Sequence, residues 1–212
     1  MGKIKKGILG GFNGRVGNVI GGAWKGIAYM RSEAQSIKNP RTEDQQANRT
    51  LFGQVSDVMS KAKQAVNLGY AGSAVKKSAF NCAVQENMKL LAEQGSVYET
   101  ELLQFSKGGL YGLNPSSPTL SNNSINVDCT SIATTGDSVN ACLVCVFEGR
   151  FSGSPFVSVS LGRVAIGAAA STISAPVPTG VTYDTCYCFV FAYDEMAKDA
   201  SVTSYAGVYE PA

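Results

Sequence analysis

A change of hydrophobic period near Gly95 constrains this 212-residue chain more than any single motif. Before it, Leu51, Val55, Val58, Ala62 and Ala65 recur every three or four residues, the spacing of a helix buried along one face. Thr42 and Gln45 form a Thr-x-x-Gln capping pair, and Glu43 and Asp44 fall in the first turn, where the helix dipole favours acids. The pattern predicts one long helix over 43–68, stopped by Gly69. Phe80, Val84, Met88 and Leu91 give a second stripe, predicting a helix that starts at Ser73 or Ser78 and ends at Glu93. A short connection over 69–72 would make the two an antiparallel hairpin. After Gly95 the apolar residues alternate, which predicts strands over 97–106, 125–129, 139–147, 156–161, 164–166, 181–193 and 202–209. The segment 108–123, rich in Gly, Ser and Pro, reads as a loop and marks a boundary. Residues 167–173 are weakly patterned and fit a strand edge or a loop.

The N-terminal part is of a different kind. Residues 7–49 hold eight of the 23 glycines and the single tryptophan, Trp24. Glycines among Ile8, Phe12, Val16, Val19 and Ile20 indicate short strands with close backbone approach. Asn13-Gly14 is a hairpin dipeptide between predicted strands 8–12 and 16–20, and 23–31 reads as a further strand. The expected architecture is α+β. A glycine-rich β arm and helical hairpin (1–112) precede an antiparallel, immunoglobulin-like β sandwich (113–212).

Charge divides the chain in the same place. Residues 1–49 carry nine Lys or Arg against three Asp or Glu, a net +6, and the remainder carries −4. An arm of opposite sign to the body suits docking between subunits or contact with a polyanion, and equally a solvated basic tail. The candidate assembly residues are Phe12, Val16, Val19, Trp24, Tyr29 and Arg31. The candidate nucleic-acid contacts are Lys3, Lys5, Lys6, Arg15 and Lys25.

Chemistry has few footholds. The chain has no histidine, which removes Ser-His-Asp and Cys-His catalysis and most zinc-enzyme sites. GFNGRVG spaces glycines like a phosphate loop but lacks the Gly-Lys-Ser/Thr ending. The pairs Glu99/Glu101 and Asp194/Glu195 sit in no pattern that enforces a shared proton or holds a cation. Cys142-x-x-Cys145 with Cys186-x-Cys188 offers four thiolates for a structural zinc, but both pairs lie inside apolar strand runs. On strands Cys186 and Cys188 share a face, whereas Cys142 and Cys145 oppose each other, so buried free thiols are the expectation and no metal or cofactor is assigned. Tyr111, Tyr183 and Tyr193 are too few to indicate a glycan site. No secretory signal, membrane span or myristoylation pattern is legible, so synthesis in a reducing bacterial host cytoplasm is expected.

The string MGKIKKGILGGFNGRVGNVIGGAWKGIAYMRS, followed by NPRTEDQQANR and KKSAFNCAVQENMK, resembles an uncharacterised domain-of-unknown-function family of Bacteroidota genomes and their phages. The likeness is fainter in TCYCFVFAYDE and SVTSYAGVYE. Arg31 to Arg49 is loosely similar to small proteins of phage structural gene clusters. The resemblance implies a non-enzymatic virion or assembly protein with itself and other virion proteins as partners. It implies no membrane and no small-molecule substrate. A basic-arm protein touching a packaged genome is the alternative.

Overall fold

The computed structural model describes residues 3–4, 10–36, 41–93, 98–131, 139–149, 156–166, 171–180, 182–196 and 198–211. The chain divides into two compact units, Met1–Thr42 and Glu43–Ala212, and the segment around residue 112 lies inside the second. Three helices and mostly antiparallel sheets make it an α+β protein.

The first unit is a four-stranded antiparallel meander of β1 (Lys3–Ile4), β2 (Phe12–Val16), β3 (Val19–Trp24) and β4 (Ile27–Ser32). The expected hairpin at Asn13-Gly14 is corrected, because that pair lies inside β2. The first turn falls instead at Gly17-Asn18, with Gly17 at φ 57°. The predicted strand 23–31 is likewise broken by a turn in which Lys25 (φ 46°) and Gly26 (φ 82°) are both left-handed, as a tight type I′ hairpin requires. Residues 8 and 9 of the predicted first strand lie outside the described residues.

In the second unit, α1 (Glu43–Lys61) begins one residue after Thr42, as its capping pattern predicts. The single long helix is broken at Ala62, where a turn (ψ 16°) separates α1 from α2 (Lys63–Gly69). Bonds from Ala62 N–H to Val58 O (2.8 Å) and from Val66 N–H to Ala62 O (3.0 Å) carry the ladder across the break. The next helix, α3 (Ala79–Glu93), takes the later of its two possible starts. Ser78 Oγ accepts the Asn81 N–H at 3.1 Å, the N-cap bond that fixes the start there and lengthens the connection beyond 69–72.

The predicted strand 97–106 is not one, and residue 97 lies outside the described residues. A 3₁₀ turn spans Thr100–Leu102, and the following extended residues bond to side chains instead of a neighbouring strand. Phe105 and Ser106 donate their N–H groups to Thr203 Oγ1, both at 3.0 Å, and Gln104 N–H donates to Asn87 Oδ1 at 2.8 Å. Burial of Leu103 and Phe105 produced the alternation. The expected loop 108–123 holds two short strands, β5 (Leu113–Pro115) and β6 (Thr119–Ser121).

Both short strands pair with β7 (Ser124–Ser131), which also pairs with β10 (Ser171–Pro176), giving a sheet of order β10-β7-β5. The central sheet runs β12 (Asp199–Ala200), β11 (Thr185–Asp194), β8 (Val139–Glu148), β9 (Phe156–Ile166), with β13 (Ser204–Tyr209) on β11. The two predicted segments 156–161 and 164–166 are one strand, β9. One face of β8 and β11 presents Cys142, Val144, Val146, Phe189, Phe191 and Tyr193 to Leu51, Val55, Val58 and Leu91 of the helices. The other presents Leu143, Cys145, Phe147, Cys188 and Val190 to Ile125, Val127, Cys129 and Ile173 of the outer sheet. Helices, central sheet and outer sheet therefore form three layers around two cores, and two-sided burial makes β8 and β11 apolar without a break. No described helix is long and apolar enough to cross a membrane.

Candidate assembly surface and a buried thiol cluster

The β2–β3–β4 register decides what the first unit shows to its surroundings. Val16 opposes Val19, and Gly21 opposes Met30, so Phe12, Val16, Val19, Ala23, Ala28 and Met30 share one face. The opposite face carries Arg15, Ile20, Trp24, Ile27, Tyr29 and Arg31. Each face has a glycine under an aromatic ring. A Cβ on Gly21 would meet the Phe12 ring at 2.6 Å, and one on Gly22 would meet the Tyr29 ring at 2.8 Å. These glycines let the rings lie flat on the sheet, the close approach that glycine inside a strand permits.

Gly21 is nevertheless the only buried residue among those described in this unit. Trp24 is 55% exposed, Tyr29 51% and Met30 70%, with Val16, Val19 and Ile27 also open. The structure thus brings the candidate assembly residues onto one small sheet but on two faces. Phe12, Val16 and Val19 lie on one, and Trp24, Tyr29 and Arg31 on the other.

The candidate nucleic-acid residues do not converge in this way. Arg15 is held by Glu33 in an ion pair of 2.7 Å and donates from Nε to Gly17 O at 3.2 Å. Lys25 occupies the β3–β4 turn, Lys3 lies in β1, and Lys5 and Lys6 fall outside the described residues.

In the second unit all six cysteines are reduced and buried. Cys142 and Cys145 do point to opposite faces, into the two different cores, so the four-thiolate set does not assemble. A different set does. Cys145 stands directly opposite Cys188 in the β8–β11 ladder, and Cys186 is the next residue of β11 on that face. Their sulfurs converge, with Cys145 Sγ 3.8 Å and Cys186 Sγ 3.9 Å from Cys188 Sγ, and all three within 4.8 Å of one another. Hydrogen bonding with Cys145 and then Cys186 holds the Cys188 thiol below its ordinary range, while bonding with Cys186 and Cys188, together with burial, pushes Cys145 up. Cys142, in the helix-side core, is pushed up to about 12 by burial. The shared face of Cys186 and Cys188 was readable from their spacing. The partnership with Cys145 depends on ladder register, which no local pattern reveals.

The carboxylates are dispersed. Glu101 accepts the Tyr205 hydroxyl at 3.3 Å, and Asp194 caps the Met196 N–H at 2.7 Å. Glu148, the one carboxyl among the described residues raised by burial, accepts the Thr100 hydroxyl. One open depression is lined by Glu101, Gln104, Thr203 and Tyr205, and another by Tyr193, Asp194, Glu195 and Lys198.

Residues 11–195 match a family of unknown function, DUF6266. The chain belongs to this family. No curated protein matches it. The DUF6266 match runs from just before β2 through β11, so it takes in Trp24, Tyr29 and all three clustered thiols, and it leaves out β1, β12 and β13.

Proposed function

We propose that this DUF6266 chain is a non-enzymatic structural protein that assembles with copies of itself through its N-terminal sheet, as a component of a bacteriophage particle. One observation carries the reading: a four-stranded sheet that keeps large apolar side chains exposed on both faces. Soluble surfaces tolerate single exposed apolar residues, but a contiguous apolar patch marks an interaction site. At about 3.4 Å per residue and about 4.8 Å between strands, each face offers on the order of 300 Å². A stable interface needs about 800 Å² per partner, so one face alone makes a weak contact and repeated use of both faces makes a strong one. That geometry favours an extended assembly over a simple dimer.

The strand orders β5-β7-β10 and β9-β8-β11-β13 support reading the second unit as an immunoglobulin-like sandwich, a fold common in surface modules. The virion setting rests on the resemblance of the N-terminal strings, and mass spectrometry of purified particles tests it. Genome contact has less support, since Arg15 is already engaged by Glu33.

The test of assembly is light scattering over a concentration series. Wild type is compared with Trp24→Ser/Tyr29→Ser and with Val19→Ser/Met30→Ser. Wild type is expected to form large species, and each pair of substitutions to reduce their mass. A wild type that stays monomeric throughout, or large species indifferent to both variants, would sink the proposal.

A further inference from the structure

We propose that Cys145, Cys186 and Cys188 form a three-coordinate, all-sulfur site for a soft monovalent cation, with Cu(I) as the ion it fits. A thiolate–metal bond of about 2.3 Å places the three sulfurs of a trigonal site about 4.0 Å apart. The two measured separations from Cys188, 3.8 and 3.9 Å, already match that edge, and the third pair lies within 4.8 Å. The backbone holds these positions independently of any ion, because Cys145 and Cys188 are ladder partners and Cys186 is two residues along the same strand. The β11–β13 pairing shifts register between Cys188 and Phe189, but the extra residue, Ala206, lies on β13, so β11 keeps its regular alternation through the cysteines.

The surroundings select the ion. Among the described residues the ligand group stops at three, all fully buried in the core between the two sheets. Structural zinc takes four ligands, and neither a fourth protein donor nor exposure to solvent is offered here. Soft thiolates select Cu(I). The thiolate is the metal ligand, so loading one Cu(I) releases the protons of the ligating thiols to solvent.

The test is anaerobic titration of the full-length protein with Cu(I) supplied as its acetonitrile complex, against a chromophoric Cu(I) chelator. X-ray absorption is then recorded on the loaded wild type. One tightly held Cu(I) per chain with three sulfurs and no nitrogen or oxygen ligand is expected. Cys145→Ala and Cys188→Ala should lose that uptake, while Cys82→Ala and Cys129→Ala should keep it. The proposal is overturned if wild type takes up no Cu(I), or if a Cys145→Ala/Cys186→Ala/Cys188→Ala chain binds it unchanged. A four-coordinate or mixed-ligand spectrum overturns it too. The absorption measurement needs no variant, so it decides the matter even if a substitution prevents folding.

Discussion

Replacing Asn87 by alanine tests how the helical layer is fastened to the sheets. Asn87 is fully buried on α3, and its Nδ2 donates to Ala83 O at 2.9 Å and to Gln104 O at 2.8 Å. Its Oδ1 accepts the Gln104 N–H at 2.8 Å. Truncation affects these partners unequally. Ala83 O keeps the helical N–H of residue 87, and Gln104 O keeps the Tyr70 hydroxyl at 3.4 Å. Gln104 N–H loses its only recorded acceptor, and leaving a buried donor unpaired costs about 1–3 kcal/mol. Adding the vacated volume and the two lost donated bonds brings the expected loss to about 2–4 kcal/mol. For a unit of this size each kcal/mol moves the midpoint by about 2–4 °C, so Tm should fall by roughly 4–16 °C. Thermal unfolding followed by circular dichroism is the assay, with Asn81→Ala on the exposed side of the same helix as the control, expected within about 0.5 kcal/mol of wild type. An Asn87→Ala protein no less stable than the Asn81→Ala control would refute the reasoning. Segment 103–106 would then be held by its apolar side chains and by the bonds to Thr203.

Gly21→Val forces a side chain onto the Phe12 carbonyl and ring, so β2 and β3 must separate. Because Trp24 is the only tryptophan, its emission should change while the circular-dichroism melt of the second unit stays put. Burial raises Glu148 above its ordinary 4.5, so its contribution to stability is complete below that value and is lost as pH rises through the shifted one. Glu148→Gln should therefore flatten the pH dependence of Tm on the acid side of neutrality and raise Tm at neutral pH. An unchanged slope would show that folding does not shift the pKa of this carboxyl. A disulfide-exchange reagent should find Cys82 first in the native protein, since it alone retains some exposure, and all six thiols only in denaturant. Rapid native reaction of Cys145 or Cys188 would contradict their burial.

What could be read in advance follows the range of the interaction. Helix stripes and the runs ACLVCVF and TCYCFVF are local, and they became α1–α3, β8 and β11. What those runs packed against was not local. An apolar residue at every position of a strand says that both faces are buried, but not that one meets helices and the other a sheet. Turn chemistry misled at the first hairpin, where the sequence reading places a turn only at Asn13-Gly14. Asn13-Gly14 is the stronger dipeptide alone, yet the register that pairs Gly21 with Gly14 and lays Phe12 over Gly21 puts the turn at Gly17-Asn18. The pattern of 97–106 is real burial without a ladder, because Asn87 and Thr203 supply the partners a neighbouring strand would have supplied.

The two units treat the same kind of residue in opposite ways, and this asymmetry bears on function. In the second unit every apolar face of β8 and β11 is covered, down to thiols with no solvent contact. In the first, Trp24, Tyr29, Val16, Val19 and Met30 stand exposed on shorter β strands. Ordering the backbone costs about 1–2 kcal/mol per residue, and a sheet whose only buried residue is a glycine has little internal burial to offset that. Under the proposed self-assembly, a covering layer would come from a second copy of the sheet. Phe12 and Tyr29 each lie over a glycine, which flattens both faces. A second copy has the same flat, apolar shape, so in the proposed assembly each copy would receive one neighbour and offer itself to the next.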